Sequence, residues 1–355
     1  MTAESPRTDE RRMRVLWNPT SGRKGGLPTN RASRGMLLDL MSRYGLGDEL
    51  IEPGSESEAI EAAADAVRRG YELVAAAGGD GTIGLIGRQL IGTRTALGIL
   101  PLGSVMNIPR MLGLPRDPEE AARILADGLV RLIDVGQIGD RIFYEAGSVG
   151  WHAAATRQLS MVDKGDYGAI VRSIAAAFRY RPSEMRIELD GDRTITAKAV
   201  VVAVANGPFM GPGLAVAPEA LLDDGLFDVR VFLPFTKREL ASHVTRIIRG
   251  RPAQERRSLT ERASWVRVTS ERPLPARVDA VDLGTTPLVF ENRPRVLTVV
   301  APDPSASPSG SGRRGPHLPI PGRGVAATPP GAAVRHGPTQ RQGAAATAPR
   351  QGGHR

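Results

Sequence analysis

The sequence predicts an α/β domain built on a parallel sheet, followed by an antiparallel β-rich domain and a polar tail. Three observations predict it. From Met13 to Arg131, short apolar runs alternate with helical patterns and end in glycine- or proline-containing loops, as where helices join parallel strands. From Leu132 to Val300, apolar runs follow one another with few helices between them, which favours antiparallel pairing. From Ala301 to Arg355, Pro, Gly, Ala, Ser, Thr and Arg leave almost nothing to bury, so this stretch is expected to be disordered. The expected organisation is a flexible N-terminus (1–12), an α/β domain (13–131), a β-rich domain (132–300) and the tail (301–355). A chain of 355 residues is long enough for two hydrophobic cores without metal or disulfide staples.

Met13 to Asn18 reads as an apolar first strand that stops at Pro19 and opens into the loop TSGRKGG. Arg31 to Tyr44 is a helix with Met36, Leu37, Leu40 and Met41 facing inward, and Ser57 to Gly70 is an alanine-rich helix ended by glycine. Leu73 to Ala77 is a short apolar strand that runs directly into Gly78-Gly79-Asp80-Gly81-Thr82. A helix over Thr82–Ile91, a strand over Ala96–Pro101 and a helix over Pro118–Asp127 complete the alternation. In such sheets ligands bind outside the carboxyl ends of the strands, where the Asn18 and Gly78 loops would both lie. Beyond these, strands are predicted at 132–138, 141–147, 184–190, 194–205, 227–233, 264–270, 275–283, 287–290 and 295–300, and helices at 150–160, 168–179 and 236–249.

Composition removes several function classes. With no cysteine there is no thiolate nucleophile, iron–sulfur cluster or cysteine zinc site. The five histidines are isolated or in the tail and show no metal-site spacing; His152 reads as a structural or surface residue. No GxSxG elbow supports a serine hydrolase. The N-terminus mixes acids with arginines and has no signal-like apolar run, and no stretch approaches the roughly 18 apolar residues of a membrane span. A cytoplasmic protein is expected. Seven arginines and one aspartate from Ala301 onward carry two thirds of the formal net charge of +9, with no aromatic residue among them. That pattern argues against a nucleic-acid face. It suits transient contact with an anionic phospholipid surface, where each basic residue contributes about 1 kcal/mol.

Three loops hold residues suited to chemistry. In Gly78 to Thr82, glycines let backbone N–H groups approach an anion closely, and the next helix adds its N-terminal dipole. Asp80 there can orient Mg2+ or accept a hydroxyl proton, or simply brace the loop. Asn18, Ser21 and Gly22, with Arg23 and Lys24, form a second candidate phosphate loop without the Walker order, or a solvated turn. Gly103 and Ser104 follow the strand 96–101 as the glycine loop follows its own strand, and line the same crevice.

Taken together, Asn18-Pro19 with Ser21-Gly22, and Gly78 to Thr82, resemble the NPxSG-like and GGDGT motifs of the diacylglycerol kinase catalytic-domain family, which includes sphingosine kinases and bacterial lipid kinases. Gly103, Ser104, Arg110, Leu112 and Gly113 resemble its third motif, but Met106 stands at the usual Asn and Asn107 at the usual Asp. Asp134-Val135-Gly136, Gly147 to Ala153, Asn206 through Gly213, Ala217 to Ala220 and Asp223 to Asp228 resemble second-domain blocks. The resemblance runs from Met13 to Pro302. Near the C-terminus Asp279-Ala280-Val281 replaces the usual Asp-Gly-Glu. Asp279 is kept, Val281 cannot replace a carboxylate, and Asp282 could serve only through a bulge or loop.

The resemblance implies an NAD-kinase-like nucleotide-binding domain and an ATP- and Mg2+-dependent transfer of phosphate to a lipid hydroxyl in phospholipid metabolism, nominally diacylglycerol. It implies nucleotide contacts from Asn18, Ser21, Gly22, Gly78, Gly79, Asp80, Gly81, Thr82, Gly103 and Ser104. Asp80 and Asp279 are the implied catalytic acids, and Asp80 and Asp224 the implied metal ligands. The protein would work at the inner membrane surface as a peripheral protein, and a homodimer is left open. A catalytically weak nucleotide- or lipid-binding member, and a soluble-metabolite kinase, stand as alternatives.

Overall fold

The computed structural model describes residues 12–24, 27–28, 32–159, 180–234, 258–303 and 333–336. The helices expected at 168–179 and 236–249, and nearly all of the N-terminal segment and tail, lie outside the described residues. β1 (Met13–Trp17) is buried along its whole length. The two-residue strands β2 (Arg23–Lys24) and β3 (Leu27–Pro28) pair in the loop after it. Then follow α1 (Arg34–Tyr44), β4 (Glu49–Ile51), α2 (Glu56–Arg68), β5 (Leu73–Gly78), α3 (Asp80–Leu90), β6 (Ala96–Pro101), α4 (Asn107–Met111) and α5 (Pro118–Asp127). β4, β1, β5 and β6 lie side by side, all parallel.

Alternation along these strands creates two cores. Val15, Trp17, Ala75, Ala77 and Leu100 face α1 and α5 through Leu37, Leu40 and Leu125. Leu16, Val74, Ala76, Leu97 and Ile99 face α2 and α3 through Ala63, Ala66, Ile83 and Ile86. The helices begin where side chains satisfy their free N–H groups. The Ser33 hydroxyl accepts from Met36 N–H and the Ser55 hydroxyl from Glu58 N–H, while the Asp117 carboxylate accepts from Glu119 and Glu120.

The second domain contains β7 (Leu129–Ile138), β8 (Arg141–Phe143), β9 (Ala146–Gly150), α6 (Trp151–Leu159), β10 (Ser183–Leu189), β11 (Arg193–Ala199) and β12 (Val201–Ala205). The hairpin β13 (Phe209–Met210) and β14 (Leu214–Ala215) precedes β15 (Phe227–Phe232), β16 (Ser258–Ala263), β17 (Trp265–Ser270), β18 (Pro275–Val278), β19 (Val281–Thr285) and β20 (Leu288–Ala301). β16-β15-β12-β9-β18-β19 form an antiparallel sheet. It packs on β10, β11, β17 and β20 through a core containing Met185, Ile187, Val202, Val229, Val266 and Phe290. Phe143 stacks on Phe227 and meets Phe290 edge-on.

Departures from the expected pattern have physical causes. The predicted strand 194–205 is two strands in different sheets, because the chain crosses between sheets at Val200, whose N–H bonds to Phe232 instead. The predicted 275–283 strand folds into the hairpin β18–β19, with Asp279 in the left-handed region (φ 44°) at the turn. The predicted 287–290 and 295–300 are one irregular strand. Its far end pairs parallel to β6 and antiparallel to β7, so the sheet expected to be mostly parallel is mixed and runs from one domain into the other. Within the tail, β21 (Ala333–His336) pairs antiparallel with β11, where disorder was expected.

Candidate active site

β5 delivers its last residue, Gly78, to the crevice, and α3 starts two residues later. Unlike α1, α2 and α5, α3 has no side-chain cap: Gly79 occupies that position. Its first N–H groups therefore point outward, as an anion site requires. The neighbouring loops fold against this start. Asn18 Nδ2 donates to Thr82 Oγ1 at 3.1 Å, Ser21 Oγ lies 3.4 Å from the same hydroxyl, and Gly79 N–H donates to Ser21 Oγ at 3.3 Å. A Cβ on Gly78 would sit 2.6 Å from Thr82 Cβ, and one on Gly103 would sit 2.5 Å from Gly79 Cα. Only glycine permits these approaches. Gly22 and Ser104 lie on the converging loops and Gly81 is exposed on the first turn of α3. A cavity of about 380 Å³ opens beside them, lined by Trp17, Asn18, Thr20, Ser55, Thr82 and Leu85.

Asp80 reaches across to the third loop. Its Oδ2 accepts from Met106 N–H (2.8 Å) and Asn107 N–H (3.1 Å), and its Oδ1 from Ile108 N–H (2.9 Å). The carboxylate thus caps α4 from another element, the bracing alternative for this residue. Met106 is buried in the left-handed region (φ 65°), and its Sδ accepts from Gly103 N–H at 3.1 Å.

Across the cleft, Asp279 accepts from three successive N–H groups: Tyr144 (2.9 Å), Glu145 (3.0 Å) and Ala146 (3.3 Å). Those bonds interrupt the predicted strand 141–147 between β8 and β9. Burial pushes Asp279 up to about 6, against the lowering pull of the three N–H groups, and the Asp80 charge adds to the rise. Glu145, 6 % exposed, accepts from Asn107 Nδ2 at 2.7 Å, and the same amide donates to Gly211 O at 2.8 Å. Burial, then the Asp279 charge, push Glu145 up to about 9, while the Asn107 bond pulls the other way. Sequence reasoning passed over Glu145. Its signal was a single acid in the otherwise uncharged run Ile142 to Trp151.

The mutual repulsion of Asp80, Glu145 and Asp279 is a field that a divalent cation would offset, and an all-oxygen donor set suits Mg2+. Among the described residues no group of three or more His, Asp or Glu side chains forms a ready metal cage. Asp224 is not brought to Asp80 by any contact. Its carboxylate bonds to Arg262 and, at 3.1 Å, to Leu226 N–H, and Asp228 lies 3.6 Å from Arg262. Arg262 is thus the neighbouring cation of both carboxylates. Asp282 is held by Arg277 at 3.0 Å, and Val281 is 41 % exposed on β19. Among the histidines, His152 stands 3.0 Å from Ser148, and burial pushes it down to about 4, in keeping with a structural residue.

Comparison with known proteins extends over both domains. The family described as Diacylglycerol kinase catalytic domain matches residues 12–138, and the YegS C-terminal NAD kinase beta sandwich-like domain matches 146–301. A diacylglycerol kinase of Bacillus subtilis (strain 168) is 27% identical over 302 residues, covering 83% of this chain and 98% of the relative. A Chromohalobacter salexigens protein called "Probable lipid kinase YegS-like" is 30% identical over 303 residues, covering 82% and 94%. The crystal structure of a diacylglycerol kinase from Bacillus anthracis str. Sterne superposes with a TM-score of 0.63 at 18% identity, covering 84% of this chain and 99% of that one.

Proposed function

The chain belongs to the diacylglycerol and YegS-like lipid kinase catalytic-domain family, and on that premise we propose that it transfers the γ-phosphoryl group of ATP to a lipid hydroxyl, with diacylglycerol as the nominal acceptor. The observation that carries this reading is the convergence of three loops on the uncapped start of α3, with Asp80 and Asp279 on opposite sides of the cleft. The nucleotide domain is read as NAD-kinase-like, with the base in the cavity beside Trp17 and Ser55 and the phosphates along Gly78 to Thr82 against the helix dipole. Asn18, Ser21, Gly22, Gly103 and Ser104 shape the rim.

In the reaction the acceptor oxygen forms a bond to the γ-phosphorus, the bond to the β,γ-bridging oxygen breaks, and ADP leaves. Asp279 takes the hydroxyl proton, and its raised pKa makes it a stronger base than an ordinary aspartate. Asp80 keeps the third loop against the phosphate site and is the residue we assign to hold Mg2+, which when bound neutralises phosphate charge. Positioning and electrostatics dominate such transfers. The lipid reaches the cleft from an anionic membrane surface, met transiently by a cytoplasmic, peripheral protein; among the described residues no helix is long and apolar enough to cross a bilayer.

Val281 and the engagement of Asp282 by Arg277 favour a second reading, a weak or inactive member that binds nucleotide without turnover. The deciding experiment is Mg2+-dependent transfer of labelled ATP phosphate to micellar lipids bearing free hydroxyls, beside soluble NAD and a no-acceptor control. Labelled lipid supports the kinase, labelled NAD supports a soluble-metabolite kinase, and nucleotide binding with no labelled product supports the second reading. Asp279→Asn should lower transfer by about 10²-fold or more while ATP affinity stays unchanged; equal losses in both would reject its role as base.

A further inference from the structure

We infer that Glu145 is a positioning residue of the cleft: through its bond to Asn107 it ties the loop held by Asp80 to the loop held by Asp279. The inference rests on the kinase reading, because it assigns a purpose to the spacing of those two acids. Direct contacts form an unbroken path. Asp80 binds the N–H groups of Met106, Asn107 and Ile108; Asn107 Nδ2 reaches Glu145 Oε2 at 2.7 Å; Glu145 N–H reaches Asp279 Oδ1 at 3.0 Å. Asp80 comes from the start of α3 and Asp279 from the β18–β19 turn, and this path joins them beside a second one, in which the Tyr144 hydroxyl donates to Gly84 O of α3 and its N–H to Asp279 Oδ2.

The pair has a fixed polarity. Asn107 is 1 % exposed and its amide donates to both Glu145 and Gly211 O, whereas its Oδ1 has no hydrogen-bond partner among the described residues. Asn107 is therefore the donor and Glu145 the acceptor. The third loop, which has an amide where its resemblance leads one to expect an acid, receives a carboxyl group from the other domain instead. A buried bond of this kind is costly to break from one side, because the partner is left without water or replacement. Restoring complementarity with a reversed pair recovers what a purely local defect cannot.

The test is a cycle of Asn107→Asp, Glu145→Gln and the double exchange, read by labelled-phosphate transfer to the lipid that the wild type phosphorylates, by calorimetric ATP affinity and by Tm. Asn107→Asp sets two carboxyls against each other and is expected to lower kcat about 100-fold, with ATP affinity within about threefold. Glu145→Gln keeps an acceptor and should lose about tenfold. In the double exchange the introduced amide donates to the introduced carboxylate, and kcat should return to within about tenfold of wild type. Should Asn107→Asp fail to fold, Glu145→Gln and the double exchange still report. Losses that multiply in the double exchange, or losses in Tm with kcat unchanged, overturn the positioning role while leaving the kinase reading intact. A wild type that binds ATP but labels no acceptor overturns both.

Discussion

Asp279 and Glu145 are neighbours whose burial opposes their ionisation, with consequences for rate and for stability. A base must be ionised to accept a proton, so kcat/KM should rise as pH passes about 6, the value to which Asp279 is pushed, and level off above it. A pH profile that is flat between 5 and 8 would reject Asp279 as the base. For stability the sign runs the other way. Both carboxyls have folded pKa values above the ordinary 3.8 and 4.5 of free aspartic and glutamic side chains, so the folded state holds more protons through the window up to about 9. Their contribution is fully present at acid pH and is lost as pH rises. The urea midpoint should therefore fall from pH 5 to pH 9, and fall less in Glu145→Gln; an unchanged decline in the variant would show that Glu145 is not responsible. Neither residue declared its environment in sequence. Asp279 was found through a resemblance, and Glu145 stayed hidden because the N–H groups and acids around it come from distant segments.

At the scale of elements, α4 shows how a functional loop is built from a poor helix. It has five residues and no cap of its own, and depends on Asp80 of α3 for three of its N–H groups. Asp80→Ala should cost about 1–2 kcal/mol by urea denaturation, as for other lost caps. Asp80→Asn keeps a side-chain acceptor, so it should cost less than about 1 kcal/mol while greatly lowering turnover. Unchanged turnover would leave Asp80 as a brace and reject its assignment to Mg2+. Longer helices were readable because local chemistry marks their ends: Asp117-Pro118 begins α5 and Gly45 closes α1 in the left-handed region, while α2, read from Ser57, starts two residues earlier on the Ser55 cap. Strand breaks at Tyr144-Glu145 and Val200 were not, since a continuous apolar run looks the same whether it continues or changes partners.

At the scale of the molecule, β20 belongs to both halves. Val266 and Phe290 pair across β17 and β20 in the second domain, while Val299 pairs with Leu97 of β6 in the first. Phe290 also fills the space that a Cβ on Gly147 would enter, at 2.3 Å. Strands shared in this way make separate unfolding of the domains costly. Far-UV circular dichroism and fluorescence, reporting Trp17 in the first domain and Trp151 and Trp265 in the second, should give coincident urea transitions. Phe290→Ala should move both by about 3–5 kcal/mol; two separated midpoints would show that the shared strand does not bind the domains into one unit.

By itself the sequence determined what local chemistry and periodicity can encode: the alternating α/β half, the strand-rich half, the glycine loop after its strand, and the motif order that marks the family. These signals act over a few residues, through backbone freedom, capping and the period of apolar side chains. Only the tertiary structure decided that the parallel sheet is completed by a strand from the C-terminal half, that Arg262 is the counter-ion of Asp224, and that Asp80, Asn107, Glu145 and Asp279 meet. Those outcomes depend on which distant carboxyl meets which amide or guanidinium once water is excluded, and that energy exists only after the chain has closed around them.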